Sequence, residues 1–237
     1  MDHRNDQHGA STTFGLVAGL GLGAGIFYYR SLVNAHLTSG RSPRLVLVHA
    51  DVRRVMAHAA ARETRLLATY LAGLLGQLAG GGAQIGTIPA FSPQICAQEL
   101  AEIAPIPLVG LLDAIVAEIE RRKLQRIGIF GARVTIETSL FGRLQNVEVV
   151  KPSLAEIDLI SSTYQSIVED EHASQQDYEN LRVLAHTLIQ RERLDAVLLA
   201  GTDLSFVFNP GNTDFPHLDG ARVHIESIMR RLASDGS

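Results

Sequence analysis

Short apolar runs alternate along the chain with stretches in which apolar residues recur at helical spacing. The first run is Thr13 to Ala18, followed by a glycine turn and a helical stretch from Ile26 to His36. Arg44 to His49 (RLVLVH) reads as a strand and leads into one long Ala/Leu helix from about Arg53 to Leu78. Gln84 to Pro89 precedes a helix over Gln94 to Ile103, and Leu108 to Leu111 precedes a helix ending near Arg122. A second series opens at Arg126 to Phe130 (RIGIF), continues through Val147 to Lys151 and closes with Ala196 to Ala200 (AVLLA). Strands alternating with helices predict parallel βαβ units covered on both faces, hence an α/β fold. Two series divided near Glu118 to Gln125 predict two similar lobes, with the chemistry beyond the carboxyl ends of the strands.

Bulk composition narrows the class without identifying the chemistry. Over 237 residues, 46% hydrophobic and 19% charged describe an ordinary globular chain. The net charge of −4 shows no basic stripe, which argues against a nucleic-acid partner. The single cysteine, Cys96, excludes an internal disulfide and a cysteine-cluster metal site, and fits a reducing, cytoplasmic setting. Phe14 to Tyr29 is apolar but spans 16 residues, five of them glycine. A membrane span needs roughly 20 apolar residues, so a turn is expected here and no membrane association.

Gly19-Leu-Gly21-Leu-Gly23-Ala24 matches a loose dinucleotide-binding fingerprint directly after a strand, with Asp51 as a candidate ribose acid. The acid lies 28 residues after Gly23, beyond the roughly 20 expected. An NAD(P)-binding function through this turn therefore stands as an alternative, beside the simpler reading of a turn that passes close to a pocket.

Five blocks, in order, resemble the aspartate/glutamate racemase family. They are GLVAGLGLGAGIFYYR (Gly15 to Arg30), AQIGTIPAFSPQI, RIGIFGARVTIETSLF, LDAVLLAGTDL and LDGARVHIESI. Matched positions include Gly15, Gly19, Gly21, Tyr28, Tyr29, Gly131, Thr135, Asp219 and His224. The resemblance implies two pseudo-symmetric α/β lobes, each a mainly parallel sheet flanked by helices, with an active-site cleft between them. The first lobe would comprise residues 13–118 and 211–237, the second 119–210, with 1–12 a leader. It also implies a small carboxylate or amino-acid ligand, no cofactor (neither pyridoxal phosphate nor metal) and a homodimer.

Members of this family move a proton between two thiols facing the α-carbon from opposite sides. Thiols suit the task because their pKa can be brought near neutrality. Here those positions are Ala90 and Gly201, which can neither accept nor donate a proton. Phe91 replaces an asparagine and Gln94 a histidine. Cys96 lies six residues past Ala90, in the next helix, and reads as a small buried hydrophobe. Ser92, Thr135 and Thr202 remain as carboxylate-binding candidates or as plain helix caps, and Gly21 as a backbone contact. His224 and Asp203 are the titratable candidates for catalysis, with His49 as a further one. The small residues at 90 and 201, with an aromatic at 91, predict room for a bulkier and less polar ligand than aspartate. Two functions follow: a repurposed isomerase or lyase using His224 and Asp203, or a non-catalytic relative that binds a small acid or pairs with an active subunit.

Overall fold

The computed structural model describes residues 12–234. The expected leader lies outside the described residues except for Thr12, as do residues 235–237. In the first half the order is β1 (Phe14–Ala18), α1 (Leu22–Thr38), β2 (Leu45–His49), α2 (Val52–Ala60), α3 (Thr64–Gly80) and β3 (Ile85–Thr87). A short 3-10 turn (Ser92–Cys96) leads into α4 (Ala97–Ile103) and then α5 (Leu111–Arg122). The second half runs β4 (Arg126–Gly131), α6 (Arg133–Glu137), β5 (Glu148–Val149), α7 (Leu154–Asp170) and α8 (Gln175–Glu192). It ends with β6 (Ala196–Ala200), α9 (Leu204–Val207), β7 (His217–Asp219) and α10 (Gly220–Ser234).

The strands form two parallel sheets, ordered β2-β1-β3 and β5-β4-β6-β7. Side chains alternate across β1 as the pleat requires. Phe14 and Leu16 face α1 and α10, packing with Tyr28, Leu32, Ile225 and Ile228. Val17 faces the opposite layer, built from Leu67, Leu71, Leu75 and Leu78 of α3. Gly15 on that side lets α3 come close, since a Cβ there would stand 3.0 Å from Leu78 Cδ1. A central strand covered on both faces reads as a continuous apolar run, which is why it was legible in sequence.

Three features depart from the sequence expectations. The long helix after β2 is broken at Arg62, whose φ of 55° is left-handed and ends α2 before α3 begins. No glycine or proline marks that break. Leu108 makes one bridge to Gly86 and no strand. The division between lobes is also displaced at both ends. Leu111, Leu112, Ile115 and Ile119 of α5 belong to the second core, together with Ile127, Ile129 and Leu198. The charged stretch near Glu118 is the last turn of α5, where Glu118 is buried between Arg121 and Arg122 at 2.6 Å from each. At the other end β7 pairs with β6 in the second sheet, and only α10 returns to the first core.

Helices α7 and α8 cover the second sheet between β5 and β6. Each starts with a capping box, Ser153 with Glu156 and Ser174 with Asp177, in which side chain and backbone exchange hydrogen bonds.

Candidate functional site

The glycine turn after β1 meets the segment after β6 across the junction of the lobes. Gly19 is forced to be glycine: its φ is 84°, and a Cβ would lie 2.6 Å from Ala50 O. Gly21, with φ 119°, opens α1 without a side-chain cap. Facing it is Asp203. A Cβ on Gly21 would stand 3.7 Å from Asp203 Oδ2, and one on Gly23 would stand 3.4 Å from Oδ1. Asp203 is 4% exposed. Burial raises its pKa, offset by the Thr202 hydroxyl and its own backbone N–H, while Glu171 raises it further. Thr202 Oγ1 donates to Oδ2 at 3.4 Å, a long bond. Among the described residues no cation forms an ion pair with this carboxyl, so a buried acid stands at the lobe junction with little to hold its charge.

The two thiol positions of the family's pattern behave differently. Ala90 is buried in a tight loop held by the Gln94 side chain, which donates to Ile88 O at 3.1 Å and to Ala90 O at 2.9 Å. Gln94, which stands where the family's motif has a histidine, thus braces the loop. Gly201 is not an empty space. A Cβ there would lie 2.3 Å from Cε2 and 2.7 Å from Cζ of Tyr164, a residue of α7. Tyr164 is half-buried, and burial together with the Asp203 charge holds its phenol well above the ordinary range. The expected room for a bulkier ligand is therefore taken up at position 201 by this ring. Phe91 does not line a cleft either: it is 4% exposed, sits in the second core, and its Cζ lies 2.8 Å from where a Cβ on Gly220 would be. It plugs one lobe into the other.

His224 lies in a different place from Asp203's surroundings. It is 0% exposed on α10, with Nδ1 3.0 Å from Tyr28 Oη and Nε2 3.1 Å from Thr87 Oγ1 and 3.0 Å from Val109 O. The Val109 carbonyl can only accept, which places the ring proton on Nε2 and leaves Nδ1 to accept from the Tyr28 hydroxyl. Burial lowers the imidazole to about 4. Both nitrogens are engaged in tying α10 to α1 and β3, and the ring has no edge left for a ligand. The expected catalytic use of His224 is not supported by this placement.

The other candidates divide. Thr135, in α6 beyond β4, is 0% exposed, and its Oγ1 is a buried hydroxyl without a hydrogen-bond partner. β4 neighbours β6, so Thr135 and Thr202 follow adjacent strands. Ser92 is half-buried at the start of the 3-10 turn. The Cys96 thiol is buried and pushed up to about 12, chiefly by desolvation, consistent with a packing role. His49 is exposed, with Nε2 2.8 Å from where a Cβ on Gly19 would stand. Asp51 caps α2, accepting from Arg53 N and Arg54 N.

That geometry speaks against the dinucleotide reading. The ribose acid is committed to a helix cap, and the place of a pyrophosphate at the start of α1 is faced by the Asp203 carboxyl and the Phe206 ring. Two negative groups at one helix N-terminus would repel. Among the described residues no three His, Cys, Asp or Glu side chains cluster as a metal site, and no helix is long and apolar enough to cross a membrane. A large open groove of about 1060 Å³ runs beside the Gln94 turn, lined by Ile88, Leu108, Phe141 and Arg143 among others. It does not include Asp203, Thr202 or Gly201, so this groove and the buried acid are separate features.

Gly21 and Asp203, both candidates from the sequence, face each other across the junction, while Tyr164, which stands over Gly201, was not among those candidates. No motif marks it, because it lies on a covering helix away from the strand ends. The available signal was indirect: a glycine in place of a larger residue often makes room for a neighbour.

Comparison with known proteins shows the family and the fold. A family model described as Asp/Glu/hydantoin racemase matches residues 17–228. A Yersinia pestis protein assigned to the Asp/Glu racemases superposes with a TM-score of 0.81 at 19% identity, over 94% of this chain and 99% of that one. An aspartate racemase homologue from Pyrococcus horikoshii gives 0.77 at 18% identity, over 94% and 99%. Glutamate racemase from Francisella tularensis, solved with D-glutamate, gives 0.65 at 15% identity, over 95% and 82%. Among curated proteins none matches the sequence.

Proposed function

Because this chain belongs to the Asp/Glu/hydantoin racemase family, we propose that it holds a small amino or carboxylic acid between its lobes and carries out proton transfer at the α-carbon from one side only, with Asp203 as the proton carrier. The observation that carries this reading is the buried Asp203 carboxyl, raised by desolvation, facing the Gly21 turn of the opposite lobe. A carboxyl whose pKa burial raises is a stronger base than a free one and can return the proton that it takes. Ala90, at the first-lobe thiol position of the family's pattern, carries no group that could move a proton. The expected chemistry is therefore exchange, isomerisation or elimination with a single base, not two-base racemisation. The Thr202 hydroxyl and the unpartnered Thr135 hydroxyl are suited to the ligand's carboxylate. Neither pyridoxal phosphate nor a metal is needed for such a step.

Incubation in D₂O with a panel of amino and carboxylic acids, followed by NMR, tests the proposal. Loss of an α-proton signal with wild type and its retention with Asp203→Asn is the expected result. Exchange that persists in Asp203→Asn would remove Asp203 from the chemistry.

A second reading is favoured by one observation. Tyr164 over Gly201 and Phe91 against Gly220 fill the junction with the chain's own rings. A non-catalytic relative that binds a small acid, or pairs with an active subunit, would show ligand binding without exchange on any compound.

A further inference from the structure

The covering helix α7 delivers Tyr164 to the place that a side chain at position 201 would occupy. The ring meets that place by one side edge: Cε2, Cζ and Cδ2 lie 2.3, 2.7 and 3.0 Å from the position of a Cβ on Gly201. The hydroxyl is carried by Cζ, the second of these three atoms. Asp203, two residues on, is close enough for its charge to act on this phenol. Glycine at 201 and tyrosine at 164 are therefore a matched pair. Any side chain at 201 would collide with the ring, and without the ring position 201 would present no functional group.

We propose that Tyr164 is the second polar arm of the site: its phenol O–H donates a hydrogen bond to the oxyanion formed on a small carboxylic acid when Asp203 removes the α-proton. This rests on the small-acid reading above. In the step, the Asp203 carboxylate takes the proton from the α-carbon. The C–H electron pair moves into the adjacent carboxylate, giving an enediolate whose oxygen gains charge. The phenol keeps its proton and holds that oxygen. Collapse of the enediolate takes the same proton back from Asp203, or a deuteron after solvent exchange, so atoms and charge balance. A phenol held above its ordinary range stays a donor throughout the working pH range. A donor in a partly desolvated site is worth most where charge develops, which is on the enediolate and not on the resting acid. Tyr164 would thereby supply, from a helix, what the missing second-lobe side chain cannot.

The test separates resting-acid binding from oxyanion binding. Calorimetric titration of the full chain uses succinate and the prepared nitronate of 3-nitropropionate, a planar anion isoelectronic with an enediolate. Wild type is compared with Tyr164→Phe, which keeps the ring over Gly201. The expected result is a loss of roughly 10- to 100-fold in nitronate affinity on removing the hydroxyl, with succinate affinity changed by less than about twofold. Equal nitronate affinity in the two proteins, with succinate still bound, overturns the role of Tyr164 and leaves the small-acid reading standing. An equal loss for both anions also overturns it, since the hydroxyl would then be an ordinary binding contact. If wild type binds neither anion, the small-acid reading falls and this inference falls with it.

Discussion

Replacing Gly201 by alanine would put a methyl carbon 2.3, 2.7 and 3.0 Å from three atoms of the Tyr164 ring. Non-bonded carbons rest at about 3.5–4.0 Å, so the ring would have to retreat by roughly 1 Å or more. Tyr164 lies against the second core and cannot swing without disturbing it. Overpacking of this kind costs about 1–3 kcal/mol, and each kcal/mol lowers Tm by roughly 2–4 °C in a chain of this size. The backbone offers no competing penalty, because Gly201 is not among the residues with positive φ. In a Tyr164→Ala background the three closest atoms to that methyl are gone. The same substitution should then be neutral, or stabilising by about 0.4–1 kcal/mol through the unfolded chain. Urea unfolding of wild type, both single variants and the double variant gives the coupling energy, expected at about 1–3 kcal/mol. Additivity within roughly 0.5 kcal/mol would refute the reasoning, since the ring and residue 201 would then not share one space.

Other consequences follow from the same geometry. His224 binds a proton near 6.5 when unfolded and near 4 when folded, so between those values the unfolded chain holds more protons and acid favours unfolding. About 3 kcal/mol of stability should be lost as pH falls through that window, and His224→Gln should flatten this part of a stability-versus-pH curve. Gly19→Ala should destabilise by more than about 1 kcal/mol by thermal unfolding, because its φ of 84° and the Ala50 carbonyl both oppose a Cβ. Asp203→Asn should leave Tm unchanged or raise it while abolishing α-proton exchange, since it removes a buried charge with which no cation among the described residues pairs. Cys96 should resist alkylation in the native protein and react only on unfolding, because its thiol is buried and pushed up to about 12.

The apolar runs of β1, β2, β4 and β6 were legible because central parallel strands are buried on both faces and carry their own signal. The family resemblance was legible in part because backbone geometry requires glycine at a strand end such as Gly19. The loss of both thiols could be read directly from Ala90 and Gly201. Tertiary structure alone decided the rest. The break at Arg62 has no turn residue to announce it, and β7 is too short to stand out from a loop. His224 sits at a matched position, yet whether a histidine meets a ligand or three buried partners depends on α1, β3 and the Val109 loop closing around it. Gly201 reads as missing volume in sequence, and only packing reveals that α7, with no motif of its own, has put Tyr164 there. Local sequence determines where strands and turns form, because those depend on neighbours along the chain. Which side chain occupies the space at the junction depends on residues distant in sequence, and no local pattern records that choice.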